Sequence, residues 1–363
     1  MRIPRFWSRR PPIATVSSGQ GANTRKAYIH IGLAKTGTTS IQRQFVKQRS
    51  WLDARGFWYP KPGTRKFFAG HHCLAWSIGE LPKNPKFCAG FSVEEVVRDI
   101  QQKPDHDIIV SSEELSLLSF NYLKIRALLA LFPSREIFVI AYVREQAEFF
   151  NSYYLELLSA FEDPGTMDEF VELRMAESRY DYRIWFAIWD DLVGKNVIVR
   201  PYDRKALKTP NVIDDFYKIV GLRDPLAMFK RSDPQNISLN NLQAAVIMEL
   251  IGRAKEMNGG NALPAASKQA FKKMTSPLLA LPELAEGKRF WGIGLPLLDR
   301  IREKYAEANA GFFSAHGIPD FVYESVSNKP PVTICNFNDL DLSVRNRVDA
   351  VWNAKASSIL EKS

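Results

Sequence analysis

Short apolar runs alternate with longer amphipathic stretches through the first two-thirds of the chain. The apolar runs are nearly continuous, as strands buried on both faces of a parallel sheet require. Four of them predict strands, at 28–31, 107–111, 136–142 and 196–200. The stretches between them predict helices at 92–102, 121–132, 147–161, 181–193 and 211–220. Such alternation predicts an α/β fold in which a central parallel sheet has helices on both faces.

From residue 238 onward the pattern predicts only helices, at 239–257, 296–313 and 340–360. We therefore predict three parts of the chain. Residues 1–25 form a disordered basic tail, residues 26–325 form the α/β domain with helical additions from about 238, and residues 326–363 form a C-terminal loop and helix.

The first predicted strand leads into a loop whose residue types suit an anionic ligand. The stretch 28–42 reads YIHIGLAKTGTTSIQ, so Gly32 and Gly37 enclose a turn that contains Lys35 and Thr36. A helix is predicted to begin directly after this turn. Loop N–H groups, the helix dipole and a lysine ammonium together form an anion cradle. Ligands of parallel sheets bind at the carboxyl ends of the strands, where this loop lies.

The order of residues in this loop narrows the class of ligand that it could bind. In the loop of nucleoside triphosphatases the lysine follows the second glycine. Here Lys35 precedes Gly37, and Thr38 and Thr39 follow it, which disfavours a Mg²⁺-dependent ATP or GTP site. The sequence KTGTT after a strand resembles instead the 5′-phosphosulfate loop of sulfotransferases, which bind 3′-phosphoadenosine 5′-phosphosulfate (PAPS).

A second pair of residues resembles the same family. Arg144 follows the third predicted strand, and Ser152 lies eight residues later in the next helix. This spacing is similar to that of the family's 3′-phosphate site, and a guanidinium fork suits a phosphate. The chain looks most like the bacterial sulfotransferase-domain group. Two departures leave adenine binding and part of the 3′-phosphate contact unassigned. Ser40 stands where animal cytosolic members have a tryptophan, and Lys288-Arg289 is the nearest match to their C-terminal RKG phosphate loop.

The resemblance implies a fold, a reaction and a set of site residues. The fold would be a three-layer sandwich like that of P-loop NTPases. The reaction would be in-line transfer of a sulfuryl group from PAPS, without a metal, to a hydroxyl or amine of a carbohydrate, glycolipid or small molecule. The implied PAPS-binding residues are Lys35, Thr36, Gly37, Thr38, Thr39, Arg144 and Ser152. Lys35 would also act in catalysis by neutralising the leaving phosphate.

The acceptor hydroxyl needs a general base, for which four candidates stay open. His71 and His72 lie in a stretch, 65–90, that we interpret as a long irregular loop, and Glu113 and Glu114 follow the second predicted strand. We favour His72 and place Glu113 second. Two other function classes also stay open, namely a P-loop kinase or nucleotide-binding protein and a module that binds PAPS without turnover.

Charge and cysteine content bear on partners and compartment. The net charge is +9, and six of these charges lie within residues 1–26. The rest of the chain is only mildly basic, so no nucleic-acid partner is expected.

Three cysteines, an odd number without metal-type spacing, predict no disulfide framework and a reducing compartment. No apolar run reaches membrane-spanning length, and the N-terminus lacks a signal-peptide core. We therefore expect a cytoplasmic protein without a membrane span.

Overall fold

The computed structural model describes residues 24–64, 68–80, 88–202, 211–222, 239–319, 334 and 336–361. Nearly all of the predicted basic tail, most of the predicted C-terminal loop and Cys335 lie outside the described residues. The chain divides into two compact units, which are described separately. The first comprises the described residues within Met1–Arg144, Asp181–Ser232 and Ala308–Phe321, and the second comprises those within Glu145–Tyr180, Asp233–Glu307 and Val322–Ser363.

The first unit contains a five-stranded, fully parallel sheet in the order β2-β3-β1-β4-β5. The strands are β1 (Lys26–His30), β2 (Phe57–Trp58), β3 (Asp107–Ser111), β4 (Glu136–Val143) and β5 (Val197–Pro201). In the centre, Tyr28 of β1 is paired with Ile109 of β3 and with Phe138 of β4. The predicted α/β fold with a central parallel sheet is thus confirmed.

Helices cover both faces of this sheet. The helices of the first unit are α1 (Thr38–Lys47), α2 (Arg49–Asp53), α3 (His72–Gly79), α4 (Val93–Gln101), α5 (Tyr122–Leu129), α8 (Tyr182–Val193) and α9 (Val212–Val220), together with a 3-10 helix at Glu113–Phe120. On one face, Phe45 of α1 and Phe216 of α9 pack in one cluster with Tyr28, Ile109 and Ile140 of the strands.

The opposite face is covered by α8, which packs against β4. Its indole groups anchor it, because Trp185 donates to the Ser116 carbonyl (3.1 Å) and Trp189 donates to Ser119 Oγ (2.8 Å). The sheet therefore lies between two helical layers, which explains why its strands are apolar on both faces.

Side-chain caps explain why four of the helix starts were predictable. Ser92, Asn121, Asp181 and Asn211 each accept a hydrogen bond from a backbone N–H of the first turn that follows. Such caps satisfy N–H groups that have no partner inside the helix.

The predictions missed several elements, among them the helices at Met167–Met175 and Ala265–Leu279 and two elements of the first unit. The stretch that we interpreted as a long irregular loop contains α3, and the two-residue strand β2 was not predicted. Helix α3 begins after His71 without a side-chain cap, so the usual signal for a helix start is absent.

In the same region, Cys73 and Cys88 form a disulfide. The prediction of no disulfide was therefore wrong, and the cysteine argument for a reducing compartment fails with it, because an odd count excludes only a fully paired set.

The second unit is helical. Its elements are α6 (Gln146–Ser159), α7 (Met167–Met175), α10 (Asn241–Met257), α11 (Ala265–Leu279), α12 (Pro282–Ala285), most of α13 (Leu295–Ala315) and α14 (Leu342–Glu361). Phe271 of α11 stacks on Trp352 of α14 with the ring centroids 5.6 Å apart. Arg253 of α10 pairs with Asp349 of α14 at 2.7 Å. Among the residues that the structure describes, no helix is both long and apolar enough to cross a bilayer.

Candidate active site

The loop after β1 is shaped by its two glycines. Gly32 has a φ of +20°, and a Cβ there would come within 2.6 Å of Thr38 Oγ1. Gly37 adopts the left-handed conformation (φ 80°) and precedes α1, which has neither a side-chain cap nor an acidic residue in its first turn. The N-terminus of α1 therefore presents backbone N–H groups and the positive end of its dipole without a competing carboxylate. This arrangement suits an anion.

Lys35 lies within this loop, between Gly32 and Gly37. Its backbone is also left-handed (φ 65°) although it is not a glycine, a conformation that costs about 1 kcal/mol or more. The side chain is half-buried. The Lys35 carbonyl accepts a hydrogen bond from Arg144 Nη1 at 3.4 Å. Since β4 is the neighbour of β1, the sheet brings together the lysine and the arginine that the sequence analysis selected.

The three threonines of the loop differ in their surroundings. Thr36 is fully buried, and its hydroxyl donates to the Leu33 carbonyl at 2.6 Å. Thr38 is also buried, and its hydroxyl lies 3.4 Å from the same carbonyl. Thr39 is half-buried. The Thr36 hydroxyl therefore holds the loop in shape, whereas Thr39 leaves part of its side chain accessible.

Arg144 is held by aromatic residues that the sequence analysis did not select. Tyr182 Oη donates to the Arg144 carbonyl and accepts from the Arg144 N–H. The guanidinium lies 5.8 Å from the centroid of Tyr202. A Cβ on Gly37 would come within 3.1 Å of the Tyr202 ring, so this tyrosine borders both the loop and the arginine. The sequence did contain a signal for Tyr202 as a site residue, because Tyr202 directly follows a strand at the carboxyl edge of the sheet.

Ser152 is half-buried and lies on α6, in the second unit. Its place in a 3′-phosphate site stays a prediction. Glu145, the residue that precedes this helix, accepts a hydrogen bond from Arg302 Nε at 2.8 Å within the same unit.

The two adjacent histidines have different environments. His71 is fully buried, and its Nδ1 accepts from the Ser111 N–H (3.2 Å) while its Nε2 lies 3.1 Å from the Pro60 carbonyl. Nε2 must therefore carry the hydrogen of the neutral ring. Burial lowers the pKa of His71 to about 3. With both nitrogens engaged and no access to solvent, His71 is unsuited to act as a base.

His72 has its Nδ1 2.9 Å from Ser112 Oγ and 3.9 Å from Glu113 Oε2. The same carboxylate oxygen accepts a hydrogen bond from Gln42 Nε2 at 2.9 Å. The Nε2 atom of His72 lies within 2.6 Å of the point that a Cβ on Gly70 would occupy. The structure thus places the two favoured candidates, His72 and Glu113, beside each other, with a ring nitrogen and a carboxylate oxygen 3.9 Å apart. Gln42 and Ser112 were missed because nothing in their local sequence marks them.

Glu114 is directed to a different partner. Its carboxylate accepts from Trp76 Nε1 at 3.0 Å. The Trp76 and Phe68 rings lie 6.0 Å and 4.6 Å from the His72 ring between centroids, and both are half-buried. Carboxylates therefore stand beside partly accessible aromatic rings around His72, as in sites that bind polar ligands with an apolar face.

Within the described part of the chain, no group of three or more His, Cys, Asp or Glu side chains could hold a metal ion.

No protein-family model matches the chain, and no curated protein is significantly similar to it. The crystal structure of a sulfotransferase from Alicyclobacillus acidocaldarius is similar, with 14% sequence identity, a TM-score of 0.40, and coverage of 69% of this chain and 96% of that chain. The chemistry of the site therefore rests on this chain's own residues.

Proposed function

We propose that this protein is a sulfotransferase that moves the sulfuryl group of PAPS to an acceptor hydroxyl or amine. One observation carries the proposal: a strand, a glycine-bounded loop with Lys35 and an uncapped helix N-terminus, with Arg144 bonded to that loop from the adjacent strand. Two cationic side chains and a helix N-terminus then converge where a phosphosulfate would bind. The residues fit a doubly phosphorylated nucleotide, because Lys35 and Arg144 can each meet one anionic group.

The geometry of the first unit supports a role for each of two residues. His72 Nε2 would take the proton of the acceptor hydroxyl, whose oxygen attacks sulfur while the bond from sulfur to the leaving phosphate oxygen breaks. Lys35 would neutralise the charge that develops on that phosphate. Catalysis of this type is mainly positioning and charge stabilisation. No step calls for a metal.

The acceptor we propose is a carbohydrate, a glycolipid or a small molecule that presents a hydroxyl. Phe68 and Trp76 could stack on the apolar face of a sugar, and Glu113 and Glu114 could accept hydrogen bonds from its other hydroxyls.

Calorimetric titration with 3′-phosphoadenosine 5′-phosphate tests the donor site. Lys35→Ala and Arg144→Ala should each weaken binding about 10- to 100-fold, because a hydrogen bond to a charged group contributes about 1.5–3 kcal/mol. Lys47→Ala is the matched control, since Lys47 is exposed at the far end of α1, and it should leave the affinity unchanged.

Two outcomes would overturn the proposal. Binding of ATP with Mg²⁺ and no response to the bisphosphate would favour a P-loop kinase. Tight binding of the bisphosphate without sulfuryl transfer from PAPS to any hydroxyl compound in a broad panel would favour a binding module, in which Lys35→Ala lowers affinity alone.

A further inference from the structure

Gln42 makes a contact that the proposed roles do not explain. It lies on α1, the helix that begins at the anion loop, and only 2% of its surface is exposed. Its buried amide donates to the carboxylate of Glu113, whose side chain is 30% exposed. Water can hydrate a carboxylate that is this exposed, so Glu113 does not need Gln42 as a hydrogen-bond donor. The main effect of the hydrogen bond is therefore to fix the position of the Glu113 side chain.

Glu113 is held beside one particular atom. Its Oε2 lies 3.9 Å from His72 Nδ1, and the other ring nitrogen, Nε2, lies on the side of Gly70. A Cβ at Gly70 would come within 2.6 Å of His72 Nε2 and within 2.7 Å of Gln42 Nε2. The absence of a side chain at residue 70 thus allows the imidazole and the amide to lie close together.

The position of the hydrogen on the neutral His72 ring decides whether Nε2 can accept a proton. Ser112 Oγ, 2.9 Å from Nδ1, can either donate to that nitrogen or accept from it. It already accepts from the Glu114 N–H at 3.1 Å, which leaves it one further lone pair. Ser112 alone therefore selects neither tautomer. A carboxylate can only accept, so a negative charge near Nδ1 favours the ring with its hydrogen on Nδ1 and a free lone pair on Nε2.

We propose that Gln42 is a positioning residue that holds Glu113 beside His72 Nδ1 and so fixes the tautomer in which His72 Nε2 is the base. This inference rests on the proposed function. It assigns Glu113 to the stabilisation of the His72 ring rather than to proton abstraction. It also links the base to α1, the helix that presents the anion loop.

The other charged or titratable groups near the ring do not favour the same tautomer in this way. Glu114 is bonded to Trp76, and His71 is buried and neutral. Arg49 of α2 acts on His71 and bonds to the carbonyls of Tyr59 and Pro60. Glu113 is therefore the carboxylate that bears on Nδ1.

The test reads the tautomer directly in protein labelled with ¹⁵N-histidine, by long-range ¹H–¹⁵N correlation at about pH 8.5, where histidine side chains are normally neutral. Five histidines give few signals, and His72→Gln identifies the one that belongs to His72. We expect the Nδ1–H form in the wild-type protein. Gln42→Leu should make the Nε2–H form the major one, because Glu113 is then free to turn toward solvent.

Two further variants make the test specific. Gln42→Met keeps the length of the side chain but cannot donate and adds no charge near His72 Nε2, so it should give the same change even if Gln42→Leu fails to fold. Gln44→Leu alters a glutamine of the same helix that is also buried, with 7% exposed, and should leave the Nδ1–H form intact.

A wild-type His72 in the Nε2–H form, or an unchanged tautomer in both Gln42 variants, would overturn the inference. So would a Gln44→Leu variant that changes the tautomer as strongly. Neither donor nor acceptor is present in this experiment. Its failure is therefore distinguishable from failure of the proposed function, which is decided by binding of the bisphosphate.

Discussion

Two buried histidines predict how the stability of the protein depends on pH. His30, the last residue of β1, and His71, beside β3, are both fully buried, and burial lowers the pKa of each from the usual 6.5 to about 3. Both rings are therefore neutral in the folded protein above about pH 3, whereas an unfolded chain takes up protons near pH 6.5. Between these values the unfolded state binds more protons, so the free energy of unfolding must fall as the pH falls.

The size of the effect follows from the two pKa values of each ring. Going from about pH 7.5 to about pH 5, one such histidine removes about 2 kcal/mol from the free energy of unfolding, and both together remove about 4 kcal/mol. This range lies above that in which carboxylates with ordinary pKa values titrate. A loss of 4 kcal/mol is large against the 5–15 kcal/mol that is typical of a domain.

Urea unfolding across this pH range measures the loss. The double variant His30→Gln/His71→Gln should be less stable at pH 7.5 but should lose about 4 kcal/mol less than the wild-type protein between the two pH values. His106→Gln serves as the control, because His106 is only partly buried and lies 2.9 Å from the Asp53 carboxylate, and it should not reduce the loss. If the double variant loses as much stability as the wild-type protein, the two rings are not the origin of the pH dependence.

Two further predictions concern the loop and the disulfide. Gly32→Ala should abolish bisphosphate binding in a calorimetric titration, because its Cβ would collide with Thr38 Oγ1; Gly252→Ala, at a helical site with nothing within 4 Å, should bind normally. Cys73→Ser should lower the free energy of unfolding by about 3 kcal/mol, the usual value for a closed loop of 15 residues. Chemical denaturation with and without a reductant measures this loss, and equal stabilities in both conditions would contradict the prediction.

The sequence predicted what local patterns encode. Apolar runs located four of the five strands, and Ser92 or Asn211 marked a helix start because a cap acts within one turn. The loop around Lys35 was found because its glycines and lysine are adjacent in the chain. By contrast, β2 has two residues, too few for a pattern, and the contact from Gln42 to Glu113 joins residues 71 positions apart. Contacts of that kind arise from the packing of α1 beside β3 and leave no mark in either segment.

The strand order has a consequence for how such a protein could diversify. β1, which carries the anion loop, lies in the centre of the sheet; Arg144 follows its neighbour on one side, and the group around His72 is attached to its neighbour on the other. In the proposed roles, the nucleotide is bound on the β4 side of β1 and the acceptor is bound on the β3 side. Exchange of residues 68–80 and 112–114 for those of a protein with the same sheet should then change acceptor preference while leaving nucleotide binding intact. Evolution could use the same division, varying one flank while selection preserves the other.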